Sequence, residues 1–238
     1  YMVYVSPRLP RRLQNAVAPI LSISDLSSTA QAYHAIERSL LVLYPQAKMG
    51  EDSKSFWKEA DFISDYLRLC GDNYRSLERK FTANELLKSA LYFPGNVAEC
   101  GCFKGGTAFY LARTASDREI HLFDSFDGLS EPGESDGTFW QRGSLTAGEE
   151  ICRANLAEFS NFRFHRGWIP DKFPAVADQV FCFVHVDVDL YQPTLDSIAF
   201  FYDRLVKGGM LICDDYGFDT CPGSRRAMDE FFADKPET

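Results

Sequence analysis

An α/β fold built on a doubly wound, mostly parallel sheet is what this 238-residue sequence predicts, on three observations. From Val97 to Ala233, short apolar runs of strand length alternate with amphipathic stretches of helix length. Glycines cluster directly after the first of these runs, at Gly101, Gly105 and Gly106. Two later runs end in aspartate pairs, Asp187 with Asp189 and Asp214 with Asp215. Repeated strand-helix alternation implies parallel pairing through crossovers. In open sheets of that kind, ligands gather at the carboxyl ends of the strands.

Residues 1–93 read differently and are expected to form a helical N-terminal cap, leaving 94–238 as the sheet domain. A Pro/Arg-rich opening precedes helical spacing from Ala30 to Tyr44. A second amphipathic helix is expected from Ser53 to Cys70, with Phe56, Trp57, Ala60, Ile63 and Leu67 as its apolar positions. Thr82-Ala83-Asn84-Glu85 has the form of a capping box opening a third helix through Leu91, and Pro94-Gly95-Asn96 is a turn that ends it. Strands are then expected at Val97–Cys100, Glu119–Asp124, Phe162–His165, Val180–Asp187 and Met210–Asp214. Helices are expected at Gly105–Ala115, Glu149–Phe159, Thr194–Val206 and Arg225–Ala233, with Lys207-Gly208-Gly209 as a turn. Ser125 to Gly148 is a long Gly/Ser/Glu-rich connection, and connections of that length in compact domains are usually functional lids or disordered.

Composition excludes several classes. A net charge of -9, with no Lys/Arg run to offset it locally, argues against nucleic acid as a partner. No apolar span is long enough to cross a membrane, and the first residues lack the apolar core and cleavage site of a signal peptide, so a cytoplasmic protein is expected. Seven cysteines, mostly inside strand-like runs, fit reduced buried thiols better than a disulfide framework.

The aspartate pairs pose a charge problem. Four carboxylates converging at strand ends repel one another unless a cation or raised pKa values relieve them. A hard divalent cation such as Mg²⁺ or Ca²⁺ suits oxygen donors of this kind, and zinc does not. Asp187 and Asp189, two apart on an expected strand, would share one face. Asp189 has a competing role as N-cap of the following helix. His185 shares that face and reads as a satisfied core residue rather than a ligand. The Glu131, Glu134, Asp136 and Glu149 cluster reads as a solvated loop face.

The run Glu99-Cys100-Gly101-Cys102-Phe103-Lys104-Gly105-Gly106 follows the first sheet strand, where glycines let a ligand approach the backbone. The dinucleotide pattern G-x-G-x-x-G is not met, and Glu99 beside the first glycine would oppose a pyrophosphate. S-adenosylmethionine carries a sulfonium and an ammonium and no phosphate, which a carboxylate favours; NAD is the competing cofactor. Asp124, at the end of the next strand, is placed to accept hydrogen bonds from ribose hydroxyls. Trp168 follows a strand and a glycine, a place to stack on adenine or simply to be half-buried.

In order and spacing, Val97–Gly106, Leu122–Leu129, Gly167–Pro170, His185–Tyr191, Gly208–Tyr216 and Arg225–Phe231 together resemble the macrocin O-methyltransferase (TylF-type) family, from about Arg75 to the C-terminus. The resemblance implies the Rossmann-like fold of class I S-adenosylmethionine-dependent methyltransferases. It also implies an enzyme that uses S-adenosylmethionine and Mg²⁺ to methylate a hydroxyl of a sugar or glycosylated natural product. By position it implies that Asp187, Asp214 and Asp215 hold the metal and Asp189 is the general base. Glu99, Gly101 and Asp124 would contact the cofactor, with Ser125 and Phe126 near its adenosine. The family's aromatic-Arg pair before the double glycine is Phe103-Lys104 here, and the chain ends before the last strand pair expected of such a sheet. The N-terminal helices would help close the pocket or pair subunits as a homo-oligomer. The other readings are a catechol-type O-methyltransferase, which Leu190 after Asp189 disfavours, an NAD-dependent oxidoreductase, and a non-catalytic binding protein on the same scaffold.

Overall fold

The computed structural model describes residues 59–71 and 76–236, together with Ser39 and Val42. The chain divides into two units, residues 1–65 and 66–238. Ser39 and Val42 are helical, and the rest of the helix expected from Ala30 to Tyr44 lies outside the described residues, as does the expected second helix before Glu59. Its described part is helix α1, Ala60–Cys70.

Helix α2, Leu77–Ala90, opens after Ser76, six residues before the expected capping box. Thr82 and Asn84 therefore sit inside the helix. Asn84 is buried, and its side-chain oxygen accepts a hydrogen bond from the Thr114 hydroxyl at 2.6 Å instead of capping anything. Leu77, Ala83, Leu87 and Ala90 are buried, and α2 packs on the sheet as well as on the following helix. The boundary expected at 93/94 thus falls inside the second unit.

From there strands and helices alternate: β1 (Asn96–Cys100), α3 (Gly106–Thr114), β2 (Ile120–Asp124), α4 (Glu149–Asn155), β3 (Phe162–Arg166), β4 (Phe181–Val186), α5 (Tyr191–Tyr202), β5 (Leu205–Cys213) and α6 (Pro222–Phe232). The five strands lie in the order β3-β2-β1-β4-β5, and every pairing is parallel. All six residues of β4 are buried, as expected for an inner strand covered on both faces. On one face, Ala98, Cys100, Phe123, Val184 and Val186 meet Phe201 of α5 and the short 3₁₀ turn Phe173–Val176 in a single core cluster. The opposite parity carries Glu99 and His185, which are register partners on β1 and β4. That side looks toward Lys80 of α2 and Thr107 of α3.

Lys207-Gly208-Gly209 is not a turn between helix and strand. Helix α5 stops at Tyr202, and the glycines lie within β5, where the register slips between the pairs Phe181–Leu205 and Phe183–Met210. Gly208 has φ +88°, a conformation that side chains rarely adopt, and a Cβ there would lie 2.4 Å from the Phe93 ring, so the bulge favours glycine.

A buried and a half-buried histidine join β2 and β3: His121 Nδ1 and His165 Nε2 are 2.9 Å apart, and the His165 ring stacks on Phe123. Burial, and then the neighbouring His121, push His165 down to about 4 from its ordinary 6.5. The neutral form is favoured by folding, so this contribution is complete above pH 6.5 and is lost as pH falls toward 4. Urea midpoints measured across that window are expected to fall with acid, and His165→Gln, which keeps a partner for His121, is expected to make the fall shallower.

Candidate active site

The carboxyl ends of β1, β2, β4 and β5 surround a cleft of about 620 Å³. A second recess of about 280 Å³ adjoins it, and both linings include Lys80, Gly101, Phe103 and Asp187. The size of the larger one is ordinary for a small-molecule site.

The smaller recess holds Glu99. Its carboxyl is 1% exposed, Oε1 lies 3.3 Å from His185 Nδ1, and Oε2 is buried with no hydrogen-bond partner among the described residues. Burial raises its pKa, and His185 partly offsets the rise. Lys80, whose Nζ donates to Thr107 Oγ1 at 2.7 Å, brings a positive charge to the same recess. Glu99 Oε2 is thus a buried acceptor without a partner in a recess that also carries a cationic side chain.

The glycine run serves close packing as much as ligand approach. At Gly101 (φ +82°) a Cβ would sit 1.9 Å from the carbonyl oxygen of Asp187, so the end of β1 fits against the chain leaving β4 only without a side chain. Gly105 is left-handed at the start of α3 and faces the Cys152 thiol, where a Cβ would meet Sγ at 2.8 Å; it lines neither recess. Asp124 lines the cleft, but its carboxylate also organises the loop: Oδ2 accepts from the backbone N–H of Cys102 and Phe103, and Oδ1 from that of Phe126. Ser125 lines the cleft with its hydroxyl bonded within the turn to Gly128. Phe126 is buried edge-on against Phe164 and lies outside both linings. Trp168 is 38% exposed on the cleft wall beside Gly167 and Ile169.

The aspartates lie at one end of the sheet by a geometry other than the expected one, and Asp187 with Asp214 and Asp189 with Asp215 fall into two separate groups. Strand β4 ends at Val186, so Asp187 and Asp189 are loop residues and the period of two does not apply to them. Asp189 is brought back to the site by a left-handed backbone (φ +60°) and by its N–H, which donates to Asp215 Oδ2 at 2.8 Å. Asp is among the few side chains that tolerate that conformation. Asp189 does not cap α5, whose N-cap is Leu190. The acceptor at that helix start is Asp136 of the long connection, whose Oδ1 takes the Tyr191 N–H at 2.6 Å while Oδ2 takes that of Gly133. Asp136 is therefore buried, not part of a solvated face, and it fastens the 125–148 segment to α5. Leu129, Phe139, Trp140 and Leu145 of that segment wall the cleft.

Ligand atoms of His185, Asp187 and Asp214 lie within 4.8 Å of one another, and so do those of Asp189, Asp215 and Cys221. Burial, then the Asp187 charge, push Asp189 up to about 7. Asp215 is raised well above the usual carboxylate range by burial and by Asp187 and Asp189. The Cys221 thiol, held up at about 12 by burial, stays protonated and points at Asp189 Oδ1 from 3.5 Å. It also accepts from the Trp140 indole N–H. Arg79 of α2 pairs with Asp214, a residue that no feature of the sequence singled out.

A parallel sheet in this order, with a glycine loop after β1, an aspartate ending β2 and an acid-lined cleft above, defines the class I S-adenosylmethionine-dependent methyltransferase fold. Solved structures share it. The structure of the O-methyltransferase NovP superposes with TM-score 0.64 at 22% identity, covering 76% of this chain and 93% of that one. The calicheamicin methyltransferase CalS11 gives 0.56 at 18% identity, covering 78% and 90%. Residues 66–236 match the family described as Macrocin-O-methyltransferase (TylF), and the chain belongs to that family. Among curated relatives, it is 31% identical over 157 residues to demethyldecarbamoylnovobiocin O-methyltransferase of Streptomyces niveus, 59% of each chain. It is 29% identical over 144 residues to 8-demethyl-8-(2,3-dimethoxy-alpha-L-rhamnosyl)-tetracenomycin-C 4'-O-methyltransferase of Streptomyces olivaceus, 54% of this chain and 55% of that one. The chain thus spans less than two thirds of the length of these curated relatives. Among the described residues, no helix is long and apolar enough to cross a membrane.

Proposed function

We propose that this chain is an S-adenosylmethionine- and Mg²⁺-dependent O-methyltransferase that methylates a hydroxyl of a sugar-containing small molecule. The observation that carries the cofactor is the buried, unpartnered Oε2 of Glu99 beside Lys80 in the smaller recess. Glu99 would meet the ammonium of the methionine moiety and Lys80 its carboxylate, with Gly101 beneath and Asp124 toward the ribose. Trp168 and Ser125 would border the adenosine from the cleft wall. The curated relatives, by their names, methylate glycosylated antibiotics, which supports a sugar hydroxyl as acceptor.

The donor set fits a hard divalent ion. Asp187 and Asp214, grouped with His185, and Asp215, grouped with Asp189 and Cys221, would supply oxygens. Burial first and neighbouring carboxylate charge second raise Asp189 and Asp215, and a cation would relieve the second of these. Bound there, the ion would supply Lewis acidity, lowering the pKa of an acceptor hydroxyl. Asp189, held by the Asp215 contact and left off the ligand set, would take the proton. Bound S-adenosylmethionine would supply the methyl group, its thioether leaving as the acceptor oxygen takes the carbon. The walls formed by Leu129, Phe139, Trp140 and Leu145 would keep water from competing. Seven free thiols support a reducing, cytoplasmic setting.

Titration calorimetry separates this reading from an oxidoreductase. S-adenosylmethionine is expected to bind and NAD to give no heat, and Glu99→Gln to weaken S-adenosylmethionine by about tenfold or more through the lost charge-assisted bond. Binding of NAD in preference would overturn the proposal.

A further inference from the structure

We propose that Arg79 is a built-in counter-cation that competes with the divalent metal for Asp214 and so sets how tightly this enzyme holds its metal. The inference rests on the metal reading proposed for the same aspartates. The Arg79 guanidinium pairs with Asp214 Oδ2 and lies 4.7 Å over the ring of Phe218, in the loop that follows β5. Arg79 lines the cleft, whereas Asp214, an expected ligand, lines neither recess. The arginine is thus the cleft-lining partner of a carboxylate that does not itself line the cleft.

Both oxygens of Asp214 are engaged. Oδ1 faces His185 Nε2 at 3.6 Å, and Oδ2 faces Arg79. His185 is fixed on inner strand β4 and is 2% exposed in its side chain, so it has nowhere to go. The Arg79 side chain is 33% exposed and hangs from a flexible stem at the cleft edge. Entry of a metal therefore means departure of Arg79 and not of His185. Arg79 also has a buried Nε with no hydrogen-bond partner among the described residues, so the pairing holds the guanidinium imperfectly, as a displaceable group requires. Without metal the arginine partly neutralises the carboxylates; with metal, it is the cation that must yield.

The test is Mn²⁺ binding to metal-stripped protein, read by electron paramagnetic resonance of the free ion, for wild type, Arg79→Gln, Arg79→Lys and Asp214→Asn. Arg79→Gln removes both the competitor and a repelling charge, and its Kd is expected to fall at least about tenfold. Arg79→Lys keeps a charge but loses the planar stack on Phe218, and is expected to fall between. Asp214→Asn should lose binding. If Arg79→Gln and Arg79→Lys bind Mn²⁺ as wild type does, or more weakly, while Asp214→Asn abolishes binding, the metal reading stands and the competitor is overturned. If no protein in the set binds Mn²⁺, the metal reading itself fails and takes the inference with it. Near-UV circular dichroism reports folding, and should Arg79→Gln fail to fold, Arg79→Lys alone decides by whether its Kd falls.

Discussion

Asp189→Asn is expected to lower kcat by roughly 10²- to 10⁴-fold, the range typical for loss of a positioned general base, while leaving S-adenosylmethionine affinity unchanged. The substitution keeps size and backbone, so the N–H of residue 189 still reaches Asp215 and the left-handed turn survives, since Asn tolerates that conformation as well as Asp. What disappears is the proposed proton acceptor. The surroundings of Asp189 suit a base. Burial and the Asp187 charge hold the carboxyl near 7, a thiol that stays protonated lies 3.5 Å away, and the cleft opens beside it. A nearby divalent ion would pull the value down and keep the group ionised. Steady-state kinetics with calorimetry on the same preparation separates the outcomes. Unchanged kcat would reduce Asp189 to a structural partner of Asp215, whereas a rise in KM alone would make it an acceptor-binding group.

What the sequence made legible follows from what is local. Alternating apolar runs and helical stretches are written residue by residue, so five strands and the helices between them emerge within a few positions of their observed ends. The glycines and the strand-terminal acids are legible because a parallel sheet sends all its strand ends to one side. The misses are contacts made over distance. Thr82 and Asn84 carry a capping pattern, yet burial against the sheet extends α2 backwards to Leu77 and turns Asn84 into a partner for Thr114. Gly208 and Gly209 look like a turn because nothing local announces that Phe93 presses on Gly208. Asp136 in an acidic loop looks solvated until α5 presents an N–H to it across 55 residues. Arg79 belongs to no motif, and only the packing of α2 against the sheet delivers it to Asp214. Asp187 and Asp189 have the spacing of one strand face, yet they reach the same site because the chain leaves the strand and doubles back at a left-handed residue.

Asp215→Asn should separate stability from activity in opposite directions. Asp215 is 3% exposed and raised well above the usual carboxylate range by burial, then by Asp187 and Asp189. A carboxyl whose folded pKa exceeds its unfolded value of 3.8 contributes stability below that value and loses it as pH rises through the folded one. In metal-free protein the charge is therefore a burden at neutral and alkaline pH. Asn removes it while its side-chain oxygen still accepts the Asp189 N–H, so the urea midpoint should exceed that of wild type at about pH 8 and converge with it in acid. The same change takes an oxygen from the proposed metal set and disturbs the anchor of Asp189. Metal-ion assistance contributes several kcal/mol, so turnover should fall about 10³-fold or more. Adding Mg²⁺ should raise the urea midpoint of wild type and leave that of Asp215→Asn nearly unmoved. A variant that is both less stable in mild alkali and fully active would show that Asp215 is an ordinary buried partner, and that the charge crowded at the ends of β4 and β5 has another purpose.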